Sequence, residues 1–485
     1  MIRGLLPWGR RLTAASVAPI AEFALRLLRT IILSRLLAPD EFGTAMALVT
    51  VILSAELISD LGLDRYVMVG AREKMARHMA AAHALGLMRG FVQAVMILAL
   101  SPLLAAIFGV AALWPAFAAA SLVPLIRGFS HLGIKQLQRD YRFAPEAVVT
   151  ISAQVLALGA TFAAAMQIAS AWAVLPGFLV EAVAMVVGTR LAVGTRFATD
   201  FSRDSLRACF RYAWPFLGNG IALAVIMQAD RFIVGGLLGP VLLGIYAAIM
   251  SLSVTPVYAY QRVVGSVLLP LSIALRDGPG GIAAAARLVP WLYLAAGFLA
   301  ALALALLLDV LTPLLFGSGF QVPPDIHVLA VLVAFFRFTR SGPVCVFLVT
   351  GHTTSIMAGT LIAGAGLVIS LVLVIGGAGI DGVLAGVIAG EVISYAASLV
   401  LLVRFAGARA PMAAATFATA CAMIAALAAM IWFMPDAALV QRSVIGGAGL
   451  ALLAILAAAL FRQLRRVPQG EAILPDDNSL RAGPP

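Results

Sequence analysis

Two short stretches of the chain repeat one another: LLAPDEFG at residues 36–43 and LLGPVLLG at residues 237–244. Their offset is 237 − 36 = 201 residues, and both leucines, the small residue, the proline and the final glycine keep the same register. Hydrophobic segments fill the chain between and around the two copies. A duplicated set of membrane segments is typical of transporters built from two halves.

The composition is that of an integral membrane protein. Of the 485 residues, 62% are hydrophobic and only 11% are charged, whereas soluble domains carry about 25% charged residues. The formal net charge is +11, but the basic residues lie in short segments between apolar stretches, which is the positive-inside pattern and not a nucleic-acid surface. The three cysteines are far apart in sequence and predict neither a disulfide framework nor a metal site, and no cofactor motif is present.

The apolar stretches predict an all-α integral membrane protein. A spanning helix needs about 20 apolar residues, and the sequence offers about 14 such segments, with twelve to fourteen as the range. We expect two six-helix bundles, related by a pseudo-two-fold axis along the membrane normal, plus two extra C-terminal helices. The predicted spans are 17–37, 44–64, 79–104, 112–134, 146–166, 171–192, 213–236, 244–269, 288–308, 325–348, 354–375, 381–404, 411–433 and 440–461.

The charges of the loops predict that both termini lie in the cytoplasm. Lysine and arginine concentrate in the termini and in alternate loops, with Arg442 as an exception and with only His352 in the loop between spans 10 and 11. Six spans separate the two repeat copies, so both halves have the same orientation. A weaker echo, Phe108-Gly109 and Phe316-Gly317, recurs at an offset of 316 − 108 = 208 residues.

This pattern divides the chain into five predicted parts. A basic amphipathic segment at 1–16 is expected to lie at the membrane interface. A polar tail at 466–485 is expected to be disordered and to lie in the cytoplasm. Between them lie an N-terminal bundle at 17–195, a C-terminal bundle at 196–405 and the two extra helices at 406–465.

Ionisable side chains within the spans indicate a candidate site, because charges are costly in a membrane and usually face a cavity. Deep arginines outnumber deep acidic residues, so pairing does not account for all of them. The surplus predicts a cationic central cavity for a phosphate-bearing head group, whose oxygens suit the planar guanidinium group. The candidate diphosphate-binding residues are Arg26, Arg29, Arg262, Arg337 and Arg340, and the candidate ion-coupling residues are Glu22, Glu56, Asp60 and Asp230.

Internal pairing is the competing interpretation of these charges. Glu22 and Arg26 are four residues apart and can form a salt bridge, and Asp230 with Arg231 can anchor a helix end. Glu181 and Glu391 are alone in their spans, and a structural role is favoured for both.

Several short sequence motifs of this chain resemble those of the polysaccharide flippases of the multidrug/oligosaccharidyl-lipid/polysaccharide (MOP) exporter superfamily. The likeness extends over nearly the whole chain and includes the order of the spans. The matching stretches are RLLAPDEFG at 35–43, DLGL at 60–63, RDYRF at 139–143, RYAWP at 211–215, DRFIVGGLLGP at 230–240 and GIY at 244–246.

The resemblance implies a transporter that moves undecaprenyl-diphosphate-linked oligosaccharides across the bacterial inner membrane for exopolysaccharide, O-antigen or capsule synthesis. It implies that spans 1, 2, 7 and 8 line a central cavity, where Arg26, Arg29 and Arg262 are the candidates by position. The implied partners are the lipid-linked oligosaccharide, membrane lipids and polysaccharide polymerase or export proteins, with no nucleic acid.

Other functions stay open at this point. Within the superfamily they are a lipid II flippase and a multidrug/cation antiporter, although such antiporters usually have twelve spans and acidic cavities. A membrane enzyme of polysaccharide assembly is disfavoured, because the longest soluble segments have only about 20 residues. Neither Lys74 nor Lys135 lies in a phosphate-binding GxxxxGK[ST] loop, which excludes a nucleotide site of that kind.

Overall fold

The computed structural model describes residues 20–69, 75–139, 142–278, 281–317, 320 and 322–432. Within these residues the chain is helical and contains no β-strand. Eleven helices are long and apolar enough to cross a membrane. Large apolar side chains such as Phe91 (61% exposed) and Val372 (63% exposed) lie on their surfaces. The chain is therefore a multi-pass membrane protein.

The helices follow one another with short connections. In the first half they are α1 (20–36), α2 (Pro39–Ile58), α3 (Leu63–Val69), α4 (Met75–Ile107), α5 (Trp114–Ala120), α6 (Leu122–Arg127), α7 (Ile134–Arg139), α8 (Ala144–Ile168) and α9 (Val174–Val193). In the second half they are α10 (Arg203–Ile233), α11 (Pro240–Asp277), α12 (Gly281–Phe316), α13 (Pro324–Thr339), α14 (Ser341–Thr350), α15 (Thr353–Ala363), α16 (Ala365–Ile375), α17 (Ile380–Ala406) and α18 (Ala410–Trp432).

Over the described residues, the predicted spans from 17–37 to 411–433 overlap helical segments of the structure. Three of them contain a break that the apolar pattern did not predict, after Ile58 in 44–64, at Arg340 in 325–348 and at Gly364 in 354–375. The span at 112–134 is interrupted at Ser121, because Pro124 lacks the N–H that would bond to the carbonyl of Ala120. The span at 440–461, the segment at 1–16 and the tail at 466–485 lie outside the described residues, so the total of fourteen helices stays a prediction.

The chain groups into two compact units. Unit 1 contains Met1–Ala259, Leu308–Ala330 and Gly364–Val387, and unit 2 contains Tyr260–Leu307, Val331–Ala363 and Ile388–Pro485. Unit 1 therefore holds helices from both sequence repeats. The bundle boundaries at 17–195 and 196–405 stay predictions.

The two copies of the repeated stretch lie against each other inside unit 1. Each copy starts a helix with a proline, Pro39 in α2 and Pro240 in α11, where the missing N–H is not needed. Gly43 and Gly244 hold equivalent positions, and a Cβ on Gly244 would lie 3.2 Å from the Cα of Gly43. A Cβ on Gly43 would overlap the carbonyl oxygen of Pro240. Gly43 is thus required by the close crossing of α2 and α11, and Gly244 leaves little room for a side chain.

Side chains next to this crossing connect it to the end of α12. The ring of Phe42 meets the ring of Phe320 edge to face, with 5.3 Å between centroids. Arg35 Nε donates to the carbonyl oxygen of Leu315 at 2.7 Å, and its Nη2 contacts the carbonyl of Leu314. Arg35 therefore satisfies carbonyl groups that the C-terminal turn of a helix leaves without intrahelical partners.

The segment between α9 and α10 packs on the end of α4. His83 Nδ1 lies 2.9 Å from the carbonyl oxygen of Ala198, and its ring stacks on Phe197 with 4.2 Å between centroids. Asp200 donates its backbone N–H to the carbonyl of Ala80 at 3.0 Å. Hydrogen bonds from Ser205 and from Ser202 lower the pKa of Asp200 to about 2. The connection between the two repeats is thus held by specific contacts.

Candidate functional site

A buried carboxylate, Glu181 of α9, contacts three arginines; we call this group the Glu181 hub. Arg29 Nη1 lies 3.1 Å from Oε2, Arg127 Nη2 lies 2.8 Å from Oε1, and Arg26 Nη2 lies 3.6 Å from Oε1. Gln154 Nε2 also donates to Oε1 at 3.0 Å. The side chain of Glu181 is only 3% exposed. Such a carboxylate is tolerated because cations and donors surround it.

Two further glutamates form ion pairs with arginines of the hub. Arg26 forms a 2.8 Å ion pair with Glu22, which is the i,i+4 salt bridge that the sequence allows. Arg127 contacts Glu56 of α2 as well as Glu181. Among the described residues Arg29 has no second acidic partner, and it lies over the ring of Phe178, 4.3 Å from its centroid. Three arginines and three glutamates therefore tie α1, α2, α6 and α9 together.

Unit 2 contains a second buried carboxylate of the same kind, Glu391 of α17. Arg337 Nε donates to Oε1 and Arg340 Nε donates to Oε2, both at 2.8 Å. Gln261 Nε2 donates to the carbonyl oxygen of Arg337 at 3.2 Å and to Ser341 Oγ at 3.0 Å. We call this group the Glu391 hub. The structure thus places two predicted cavity arginines, Arg337 and Arg340, on an acidic partner.

The two hubs belong to the sequence duplication. Arg127 precedes Glu181 by 54 residues, and Arg337 precedes Glu391 by 54 residues. The second arginine differs, because Arg29 comes from α1 in the first hub, whereas Arg340 lies one turn beyond Arg337 in the second. The equal spacing was a signal in the sequence, but the arginine partners of the two glutamates are distant along the chain.

A cavity next to the Glu181 hub is cationic. Its volume is about 220 Å³, and it is lined by residues of α1, α2, α9, α10 and α11. Arg26, Arg29 and Arg231 line it, together with Tyr258 and hydroxyl side chains such as Thr255, and none of its lining residues is acidic. We call it the cationic cavity. Cations without a facing carboxylate favour an anionic occupant.

Arg231 is the residue of this cavity that sequence reasoning did not select. Its Nη1 donates to Gln228 Oε1 at 2.6 Å and to the carbonyl oxygen of Met227 at 3.0 Å, one turn earlier in α10. Both acceptors are neutral, so the charge of Arg231 is not compensated by them. The adjacent Asp230, which drew attention in the sequence, accepts hydrogen bonds from the Tyr246 hydroxyl (2.7 Å) and the Arg231 backbone N–H (2.8 Å).

A second cavity lies on the other side of Arg26 and is rich in carboxylates. Its volume is about 410 Å³, and α1, α3, α4, α6, α8 and α9 all contribute to its walls. Five acidic residues line it, against three arginines. We call it the acidic cavity. Its acidic lining residues are Glu22, Asp60, Asp64, Glu146 and Glu181, and its arginines are Arg26, Arg89 and Arg127.

The remaining predicted site residues have different surroundings. Asp60 lines the acidic cavity, and its Oδ1 accepts the Gly62 N–H at 2.9 Å. Glu56 pairs with Arg127, as described above. The side chain of Arg262 lies outside the described part of the chain, so its place in the cavity stays a prediction. Among the described residues, no group of three or more His, Cys, Asp or Glu side chains is arranged to hold a metal ion.

Comparison with known proteins gives one family and a set of related folds. The family model described as "Polysaccharide biosynthesis protein" matches residues 32–323. A search of the curated proteins finds no match.

Solved structures share the fold at low sequence identity. A lipid II flippase MurJ in an inward closed conformation is 10% identical, covers 93% of this chain and 99% of its own, and has a TM-score of 0.71. An inward-facing multidrug resistance MATE transporter of the MOP superfamily is 14% identical over 86% and 98%, with a TM-score of 0.51. A eukaryotic MATE transporter is 13% identical over 86% and 100%, with a TM-score of 0.52. The expected MOP fold is confirmed.

Proposed function

Because the chain belongs to the polysaccharide biosynthesis protein family, we propose that it is a flippase for undecaprenyl-diphosphate-linked oligosaccharide repeat units. It moves the head group from the cytoplasmic to the periplasmic leaflet of the bacterial inner membrane, with both of its termini in the cytoplasm. A sugar head group cannot cross about 30 Å of hydrocarbon unaided. A cavity that opens to one side and then to the other carries the head group while the lipid tail stays in the membrane.

The cationic cavity is the observation that supports this substrate. Arg26 and Arg29 pair with Glu22 and Glu181, whereas the Arg231 guanidinium has no carboxylate within 4 Å among the described residues and donates to neutral acceptors. The Arg231 guanidinium is therefore available to a ligand, and guanidinium groups bind phosphate oxygens in a bidentate manner. The volume of about 220 Å³ is below the usual range of ligand pockets, about 300–1,000 Å³, which favours a small group such as a diphosphate over an oligosaccharide.

The proposal assigns roles to the site residues. Arg26, Arg29 and Arg231 bind the diphosphate, and Arg262 stays a candidate for the same role. Arg337 and Arg340 keep the Glu391 hub intact in the present conformation and meet the substrate only in a conformation that releases them. Energy comes from an ion gradient, from the membrane potential or from consumption of the product. Candidates for ion coupling are Glu22, Glu56, Asp60 and Asp230.

The test is deletion of the gene followed by analysis of lipid-linked intermediates on each leaflet. We expect an undecaprenyl-diphosphate-linked repeat unit to accumulate facing the cytoplasm, and the wild-type gene to reverse this. Arg231→Gln should fail to complement at equal membrane expression, whereas Arg207→Gln, which removes an exposed arginine of the same helix, should complement.

The same experiment separates the alternative functions. Accumulation of the lipid-linked peptidoglycan precursor would instead assign a lipid II flippase. Increased drug sensitivity with normal lipid-linked intermediates would assign a multidrug exporter, and either result contradicts the proposal.

A further inference from the structure

Among the described residues that line the acidic cavity, one cationic and one anionic side chain have no ion pair. The Arg89 guanidinium makes no hydrogen bond or ion pair with the described residues, and its Nε is shielded from solvent without an acceptor. The Asp60 carboxylate accepts only the Gly62 N–H and has no arginine or lysine nitrogen within 4 Å among the described residues. Both side chains line the same cavity yet do not pair with each other.

The other carboxylates of this cavity are already engaged. Glu22 pairs with Arg26 at 2.8 Å, and Glu181 is the centre of its hub. Glu146 and Asp64 share Lys135, at 2.6 and 3.3 Å. Among the described residues, Asp60 and Arg89 are therefore the two charged groups of the cavity wall without an ion pair within 4 Å, although the charges of Asp64, Asp60 and Glu56 act on Arg89 from a longer distance.

The charges of the wall decide which ligands fit. An anion would satisfy Arg89 but would be repelled by Asp60, the carboxylate of the wall that has no ion pair within 4 Å among the described residues. A cation would satisfy Asp60 but would leave Arg89 opposed. A neutral polyhydroxyl group satisfies both, because a hydroxyl donates to a carboxylate and accepts from a guanidinium. The cavity volume of about 410 Å³ lies within the usual range of ligand pockets, about 300–1,000 Å³.

We propose that the acidic cavity binds the sugar linked directly to the diphosphate, and that Asp60 and Arg89 select a neutral sugar over an acidic one. This inference rests on the proposed function, because it places the diphosphate in the cationic cavity. Arg26 lines both cavities, so a diphosphate held there has its first sugar at the entrance of the acidic cavity. Like charges across the pocket reject a uronic acid at this position.

Binding of three lipids to the full-length protein in nanodiscs tests the proposal. The probes are undecaprenyl diphosphate, undecaprenyl-diphosphate-glucose and undecaprenyl-diphosphate-glucuronic acid, and native mass spectrometry gives their dissociation constants. We expect the glucose lipid to bind at least about tenfold tighter than undecaprenyl diphosphate, since hydrogen bonds to charged groups are the stronger kind. The glucuronic acid lipid should bind about tenfold more weakly than the glucose lipid.

Variants identify the residues that make this distinction. In Asp60→Asn and Arg89→Gln, the ratio of affinities for the glucose lipid and for undecaprenyl diphosphate should fall to near one. Asp60→Asn should also narrow the difference between the glucose and glucuronic acid lipids. Matched controls are Asp204→Asn and Arg207→Gln, two exposed residues at the start of α10, and they should keep the wild-type ratios.

The failure of the sugar subsite and the failure of the proposed function give different results. If the three lipids bind equally to the wild-type protein and all are weakened by Arg231→Gln, the subsite is wrong and the diphosphate cavity stands. If none binds, or if Arg231→Gln changes nothing, the diphosphate cavity is wrong as well. If the ratios survive in both cavity variants, Asp60 and Arg89 do not select the sugar.

Discussion

At the scale of single residues, Glu181 and Glu391 differ in how many cations depend on them. Glu181 forms ion pairs with Arg26, Arg29 and Arg127 and so neutralises part of their positive charge. Glu391 forms ion pairs with Arg337 and Arg340. Removing one charge from a buried ion group leaves its partners desolvated and unpaired, at a cost of about 3–5 kcal/mol for a pair. In the Glu181 hub the remaining arginines would also repel one another across a small distance.

We therefore expect Glu181→Gln to lower stability more than Glu391→Gln, although both changes keep the shape of the side chain. Thermal unfolding of the purified proteins in one detergent, followed by intrinsic fluorescence, measures this order. Asp204→Asn, an exposed carboxylate of α10, is the control and should change the melting temperature little. Equal melting temperatures for Glu181→Gln and wild type would show that the hub is not a structural centre.

At the scale of secondary-structure elements, the crossing of α2 and α11 depends on a missing side chain. A Cβ on Gly43 would overlap the carbonyl oxygen of Pro240, which is backbone and cannot turn away. We expect Gly43→Ala to destabilise the conformation described here and to lower the melting temperature.

Another helical glycine offers a matched control for this change. In α8, a Cβ on Gly159 meets no atom within 4 Å, so Gly159→Ala should be neutral or stabilising by about 0.5–1 kcal/mol. The melting temperatures of the two variants in the same detergent make the comparison. A Gly43→Ala protein as stable as Gly159→Ala would contradict the close crossing.

His131 lies in the non-helical turn between α6 and α7 and contacts Phe197 of the connection between α9 and α10, and its position predicts a pH dependence. Burial lowers the pKa of His131 below its ordinary value, and its Nδ1 accepts the Gly133 N–H at 3.0 Å. A base whose pKa is lower in the folded state binds fewer protons there, so stability rises with pH. This contribution is complete above about pH 6.5 and declines as the pH falls below that value.

We accordingly expect a lower melting temperature at pH 5 than at pH 8, and a smaller difference in His131→Gln. His352→Gln, whose ring instead packs 5.6 Å from that of Phe405, is the control and should keep the wild-type difference. A difference that is unchanged in His131→Gln would assign the pH dependence to other groups.

The sequence predicted the elements better than it predicted the partners of the charges. Apolar segments of about 20 residues identify spanning helices because the membrane thickness sets their length. The breaks inside four predicted spans, after Ile58, before Pro124, at Arg340 and at Gly364, were missed. The Glu22–Arg26 contact was predictable because it is local. The contact of Arg29 with Glu181 joins residues 152 positions apart, and no periodicity within one helix contains that information. Arg231 was interpreted as a helix anchor together with its neighbour Asp230, because the sequence does not show that it lines a cavity.

At the scale of the whole molecule, the duplication explains which backbone positions are equivalent, but it does not explain the charges of the side chains at these positions. The repeat places Gly43 against Gly244 and gives each half an arginine–glutamate pair 54 residues apart. The charges then diverge, because the position of Arg29 is occupied by Asp230 in the second copy. Asp230 bonds to Tyr246, whereas Arg29 lines the cationic cavity. A symmetric backbone with an asymmetric lining can bind one head group in one orientation.

Alternating access requires the contacts around the repeated stretch to open during each cycle. Phe42 and Phe320 are in ring contact beside the crossing, so a cross-link between them should hold this side closed. We expect Phe42→Cys/Phe320→Cys, made without the native Cys209, Cys345 and Cys421, to lose transport of a lipid-linked sugar in proteoliposomes when treated with a short reducible bifunctional thiol reagent. Reduction should restore transport, because the link is then broken.

A second cysteine pair controls for cross-linking itself. A Cβ on Gly188 of α9 would lie 2.7 Å from Val149 Cγ1 of α8, and these two helices pack along their length within one repeat. Val149→Cys/Gly188→Cys should therefore cross-link with the same reagent and still transport. Since rigid movement of one repeat against the other leaves this second pair unchanged, full transport by a cross-linked Phe42→Cys/Phe320→Cys protein would contradict an opening at the repeated stretch.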